Sequence, residues 1–445
     1  MIRWPVFAPA LFIGANMEQK YIESTIELMD FIQDSPSCYH VVANAATMLE
    51  NAGATRLDEK KPFILEKGNC YFVTRNSSSL IAFRMPETDI AGYSIVSAHT
   101  DSPSFKLKEN PEIRNGGTYT TLNVEAYGGM LMAPWFDRPL SIAGRAFVKQ
   151  NDGSICERLV DFDRDLCQIV NLCIHQNREV NKAYEYKVQK DMLPIIALGD
   201  KESTLRDLVA EELEVEPENL LDTELFLYNR MKGSIWGLDD EFFSCPKIDD
   251  LQCAFSALKA FVSSEDSESS KIQMVALFDN EEVGSSSKQG ANSDFLRQTI
   301  HRIGCALDCD FDKRCSLQAN SFMLSADNGH SMHPNYPEKC DPTNRPLING
   351  GVLIKYAGNQ KYTTDGFSAS YLKNILQNAE VPYQLFFNNS NVTGGSTLGN
   401  ISTTQISIPT VDIGAAQLAM HSPYETAGTK DTLNLTEGMR AFFKA

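Results

Sequence analysis

Ile272-Gln-Met-Val-Ala-Leu-Phe278-Asp279-Asn280-Glu281-Glu282-Val-Gly-Ser285 is the stretch whose reading decides the fold. Its first seven residues carry one polar side chain and have the length of a buried strand. The chain then passes directly into three acids within four residues. Two adjacent glutamates straight after a buried strand are unfavourable together unless cations or a proton compensate them. Adjacent side chains point in different directions, so one can serve as a general base and the other as a metal ligand. On this stretch alone, a solvated acidic turn reads the same way.

Working outward, Tyr93-Ser-Ile-Val-Ser97, Ser321-Phe-Met-Leu-Ser325 and Thr404-Gln-Ile-Ser-Ile408 repeat the short apolar run, and helical patterns over residues 250–263 and 368–378 fall between some of them. The alternation predicts an α/β fold: a central, mostly parallel sheet flanked by helices. Residues 18–53 are helical in pattern, with a break at Asp34-Ser-Pro-Ser-Cys38. Residues 105–235 differ, being turn-rich and alternating, with an acidic stretch over 207–224. They are expected to form an inserted β-rich domain, so that 17–104 and 236–445 make up the α/β domain. Arg3 and the apolar run from Trp4 to Ala15 resemble a weak signal peptide. The two prolines in that run and the charged helix after it favour Met17 as the natural start, or residues 1–16 as a loose extension.

The chain has 445 residues, 42% hydrophobic and 22% charged, with a formal net charge of -18. That field repels nucleic acid and anionic membrane and excludes both as partners. No run approaches the roughly 20 apolar residues that span a bilayer. Eleven scattered cysteines suit reduced thiols in the cytoplasm. Cys305, Cys309 and Cys315 lack the paired C-x-x-C of a structural zinc site.

Four further loops gather chemistry. Ser97-Ala-His99-Thr-Asp101 places a carboxylate where it can orient a metal-binding imidazole, although a structural His–Asp pair looks the same. Lys247-Ile-Asp249-Asp250 enters a helix, where an aspartate can bridge two cations or simply cap the helix. Asp327-Asn-Gly-His330-Ser-Met-His333 holds two of only seven histidines. The last loop carries Asp412, His421 and Glu425. Ligand sites in open α/β sheets gather at the carboxyl ends of strands, so these loops can converge. His, Asp and Glu without thiolates suit zinc or a similar divalent ion.

In this order, SPSCYHVV, SAHTDSPSFKLK, WFDRPLSIAGR, IDDL, FDNEEVGS, SADNGHSMHPNY, KYAGNQKY, GGSTLG and VDIGAAQLAMHSPYE make the chain after Met17 resemble the aspartyl aminopeptidase family of cocatalytic zinc metallopeptidases. The resemblance implies two divalent ions per subunit, zinc, with cobalt or manganese able to use the same ligands. One ion falls to the positions matching His99 and Asp327, the other to those matching Glu282 and His421, with Asp249 bridging. Glu281 matches the general base and Asp101 the partner of the first histidine. The resemblance also implies that the insert is a dimerisation domain and that the chain forms a homododecamer built from dimers, with His175 reaching a neighbouring subunit's site. Lys355 matches the lysine that selects acidic N-terminal residues; a solvent-facing lysine is the plainer reading of the same residue. The family's Arg-Leu-Asp-Asn segment reads Lys247-Ile-Asp249-Asp250 here, and alignment makes Asp249 the bridge.

The expected function is thus a metallo-aminopeptidase acting on peptides, with Asp or Glu preferred at the N-terminus. The alternatives are a relative preferring neutral residues, another di-zinc hydrolase of similar fold such as a deacetylase or carboxypeptidase, and a catalytically silent assembly or cargo protein. Every expected position is occupied, which disfavours the last.

Overall fold

The computed structural model describes residues 9–199, 201, 203–392 and 394–445, with side chains from residue 17. Helices α1 (Pro9–Gln33) and α2 (Cys38–Asn51) lead into strands β1 (Thr55–Arg56), β2 (Cys70–Arg75), β3 (Ser79–Arg84) and β4 (Gly92–His99). Of the segment expected as a loose extension, residues 1–8 lie outside the described residues, and Pro9 onward is the start of α1.

The chain then builds a separate antiparallel sheet. Its strands are β5 (Ser104–Arg114), β6 (Tyr119–Tyr127), β7 (Leu140–Lys149), β8 (Ile155–Asp161), β9 (Ile195–Leu198) and β10 (Leu220–Asn229), in the order β8-β7-β10-β5-β6-β9, with the short helices α3 (Val188–Asp191) and α4 (Leu205–Glu212) between β8 and β10. Near its start β5 alternates buried with partly exposed residues, as a sheet covered on one face does. That buried face has its own core, including Phe105, Leu122, Ile142, Val160 and Leu227, with Trp135 edge-on to Phe105 at 5.1 Å. Arg145 fastens this sheet to the rest of the molecule. Its guanidinium pairs with Glu224, donates to the Asn76 carbonyl at 2.7 Å and lies 4.2 Å over the Tyr39 ring of α2.

The chain returns through β11 (Ser234–Trp236), β12 (Phe242–Cys245) and α5 (Ile248–Val262) to β13 (Lys271–Phe278). Helices α6 (Phe295–Ala306) and α7 (Phe311–Ala319) precede β14 (Phe322–Ala326) and the two-residue β15 (Gly329–His330). After β16 (Val352–Tyr356) come α8 (Gly366–Asn378), β17 (Tyr383–Phe387) and α9 (Leu398–Gln405). The chain closes with β18 (Thr410–Gly414), β19 (Ala416–Leu418), β20 (Glu425–Gly428) and α10 (Asp431–Lys444). The central sheet has nine strands in the order β1-β2-β3-β13-β4-β14-β18-β16-β17, and its middle four are mutually parallel. A smaller sheet, β11-β12-β20-β19-β15, lies beside it.

Every residue of β4 and all but the first of β13 are buried, because helices cover both faces of the sheet. This is why these strands read as unbroken apolar runs. One expected strand is displaced. Residues 404 and 405 end α9, and the strand begins at Thr410. The apolar alternation over 404–408 belongs to a helix end and an extended link, and Pro409 has no N–H to give a ladder. Among the described residues no helix is long and apolar enough to cross a membrane.

Candidate metal centre

The parallel register aligns the carboxyl ends of β4, β13 and β14, so His99, the Asp279–Glu282 turn and Asp327 emerge on one edge of the sheet. Asp249, in the first turn of α5, and His421, in the loop between β19 and β20, reach the same point from other directions. The ligating atoms of His99, Asp249, Asp250 and Asp327 lie within 4.8 Å of one another, as do those of Asp249, Glu282 and His421, and of His99, Glu281 and Glu282.

The spacing is informative. His99 Nε2 is 3.5 Å from Asp249 Oδ1, and His421 Nε2 is 3.4 Å from both Asp249 Oδ2 and Glu282 Oε1. These separations are longer than good hydrogen bonds. Two atoms each held about 2.1 Å from one zinc at the tetrahedral angle are about 3.4 Å apart. Asp249 Oδ1 and Glu282 Oε1 are buried without a hydrogen-bond partner. Nitrogen and carboxylate donors at this spacing, with orphaned oxygens, fit divalent ions such as zinc.

The electrostatics agree. Burial pushes the Glu281 carboxyl up to about 8 and that of Asp327 up to about 6. Burial likewise drives Glu282 and Asp250 well above the usual carboxylate range. Asp249 goes the other way: burial opposes its charge, but contact with His421 and His99 holds it below that range. Burial alone would lower the two imidazoles, yet their carboxylate neighbours carry His99 well up and His421 to about 9. So dense a group of acids needs positive charge among them.

Around the cluster, His99 Nδ1 meets the Asp101 backbone carbonyl at 3.0 Å and its carboxylate at 3.4 Å, and that carboxylate accepts the N–H groups of Glu281 and Glu282, each at 3.1 Å. Lys355 is 1% exposed, so the solvent-facing alternative is corrected: it donates to the Asn328 carbonyl at 2.8 Å. The sheet holds β16 against β18 and buries Lys355 along with Val352, Leu353 and Ile354. His175 is exposed on the loop after β8 and belongs to none of the three groups. Cys305, Cys309 and Cys315 also lie outside them, and all eleven cysteines are free.

Three supporting roles were not read from sequence, although Asp250 and Glu425 stand in the loops named there. Asp250 accepts the His99 N–H at 3.2 Å. Glu425 accepts from the backbone of Asp249 at 2.9 Å and of His421 at 2.7 Å, orienting both loops. Tyr127 donates to Asp101 at 2.7 Å. The four-residue spacing of His421 and Glu425 was a usable signal, whereas nothing in the β6 sequence marks Tyr127.

The family model for aminopeptidase I zinc metalloprotease (M18) matches residues 31–443. A probable M18 family aminopeptidase 2 from Clostridium acetobutylicum is 42% identical over 429 residues, covering 95% of this chain and 99% of that protein. Among solved structures, the Ape4 and Nbr1 complex aligns with TM-score 0.92 at 34% identity, covering 96% of this chain and 86% of that one. The S. cerevisiae mApe1 dodecamer aligns with TM-score 0.84 at 28% identity, covering 96% and 97%.

Proposed function

The chain belongs to the M18 family of zinc aminopeptidases, and from that premise we propose that it removes acidic N-terminal residues from peptides with two metal ions and Glu281 as general base. The observation that carries this reading is the 3.4–3.5 Å spacing of His99, Asp249, Glu282 and His421 around buried, partnerless oxygens. His99 and Asp327 would hold one ion, Glu282 and His421 the other, with Asp249 between them. Asp249 suits the bridge better than Asp250, because its two oxygens face one histidine each. When bound, the ions polarise the scissile carbonyl and acidify a water to near neutrality.

The remaining steps belong to side chains. The Glu281 carboxylate takes the proton of the attacking water and returns it to the leaving amine. Asp101 holds the His99 imidazole from behind and fixes the backbone of both glutamates. Lys355 supplies the positive charge that an aspartyl or glutamyl side chain requires. A preference for neutral residues has one observation in its favour: the Lys355 ammonium already neighbours Asp327 at 3.7 Å. Residues 105–235 are proposed as a dimerisation domain, and the whole as a homododecamer in which His175 enters a neighbouring site; the dodecameric mApe1 neighbour supports this. A cytoplasmic setting is supported by the eleven free thiols.

The test is hydrolysis of Asp-, Glu-, Leu- and Lys-nitroanilides with and without chelator. Chelator-sensitive cleavage, fastest for Asp and Glu, is expected. Failure to cleave any of the four by zinc-loaded protein would remove the assignment.

A further inference from the structure

Tyr127 ends β6, so it belongs to the antiparallel sheet and not to the sheet that carries the acids. Its hydroxyl donates to Asp101 Oδ2 at 2.7 Å and accepts from Asn280 Nδ2 at 2.9 Å. Asn280 is itself fixed, since Ser287 and Gln289 donate to its Oδ1 at 2.7 and 2.8 Å. Burial and the neighbouring Asp101 keep the phenol far above the usual tyrosine range, so it remains a donor.

Asp101 is the shared support of the centre. One oxygen accepts the Glu281 N–H and lies near His99 Nδ1; the other accepts the Glu282 N–H and the Tyr127 hydroxyl. Rotation of this carboxylate would release both glutamate N–H groups and withdraw the negative charge that faces the imidazole, whose Nδ1 meets the Asp101 backbone carbonyl at 3.0 Å. The residues after Tyr127 continue the contact. Gly128 has φ +79°, and a Cβ there would lie 3.1 Å from Glu282 Cβ, so the strand exit is pressed against the glutamate turn. Leu131 N–H donates to the His421 carbonyl at 3.0 Å. One short segment of the second sheet therefore touches the supports of His99, Glu282 and His421.

We propose that Tyr127 is a positioning residue for the reaction: by locking Asp101 it holds the His99 imidazole and the Glu281–Glu282 turn, so the antiparallel sheet sets the geometry of the metal centre beside it. This rests on the assignment of His99 and the two glutamates given above. Partners bonded directly to metal ligands are worth about ten- to a hundredfold in metal affinity or activity, and Tyr127 acts one bond further out, through Asp101. Phe226 lies edge-on to the Tyr127 ring at 5.5 Å, a packing contact that Tyr127→Phe leaves unchanged.

The test compares Tyr127→Phe, Phe226→Leu and His99→Ala in the zinc-loaded full chain. Zinc retention against a competing chelator and kcat are measured, with thermal unfolding and assembly size as controls. Tyr127→Phe is expected to lose up to about tenfold in both zinc retention and kcat, the lower end of the range for direct partners, at unchanged assembly size, while Phe226→Leu keeps both close to wild type. Wild-type zinc retention in Tyr127→Phe overturns the proposal, and so does an equal loss in Phe226→Leu, which would assign the effect to packing. If His99→Ala loses zinc and Tyr127→Phe does not, only the role of Tyr127 falls. If both retain it, the metal-site assignment falls as well.

Discussion

Lys355 Nζ stands 3.7 Å from Asp327 Oδ2, with its stem sealed inside the central sheet. Burial would discharge an isolated ammonium, but Asp327 and its neighbours carry this one above the usual lysine range. It is a permanent positive charge in the wall of an acidic cluster, a position from which it can attract a substrate carboxylate.

Lys355→Met is accordingly expected to weaken kcat/KM for Asp- and Glu-nitroanilides by about ten- to a hundredfold, the worth of a charge-assisted hydrogen bond. Leu-nitroanilide should lose much less. Parallel losses on all substrates would mean that Lys355 acts on Asp327 and not on the substrate.

Glu281→Gln is expected to retain zinc, since Glu282 is the proposed ligand, while kcat falls by about 10²–10⁴-fold. Metal analysis beside a nitroanilide assay checks both halves. Substantial turnover would take the general-base role from Glu281.

His175 is exposed within its own chain, so its proposed role can be exercised only in a neighbour. His175→Phe and Glu281→Gln are each expected to be nearly inactive. Assemblies formed from a mixture of the two should regain activity, because one subunit supplies the base and the other the histidine. Mixtures as inactive as their components would place His175 outside the reaction.

His40, at the start of α2, meets Ser37 Oγ at 2.8 Å, and burial, with Lys247 nearby, lowers its imidazole from 6.5 to about 4. Below pH 6.5 the unfolded chain binds a proton that the folded chain refuses. Its contribution is therefore complete above that pH and lost as pH falls toward about 4, up to about 3 kcal/mol. Denaturant unfolding at about pH 7.5 and about pH 4.5 should show a smaller pH penalty in His40→Gln than in wild type. An equal penalty would assign the acid sensitivity to other groups.

The strands that carry the centre were legible because burial on both faces leaves an unbroken apolar run, and β4, β13 and β14 all have one. The acids and histidines after those runs were legible as surplus charge where charge is costly. Residues 404–408 misled because a short apolar alternation fits a helix end as well as a strand. The supporting roles of Asp250, Glu425 and Tyr127 escaped notice for a different reason. Their work is to hold other residues, and holding depends on which backbone groups arrive nearby, which spacing does not encode. Lys355 faces inward because its strand is enclosed, a property of the sheet order and not of the residue.

The antiparallel sheet of residues 104–229 lies, along the chain, between His99 and Asp249. At a synthesis rate of about 5–20 residues per second, His99 leaves the ribosome about 8 to 30 seconds before Asp249. His421 follows 172 residues after Asp249. A nascent chain that stops short of His421 carries only part of the proposed centre. The proposed centre is complete only once the segment carrying His421 has been made, well after the antiparallel sheet that Tyr127 brings.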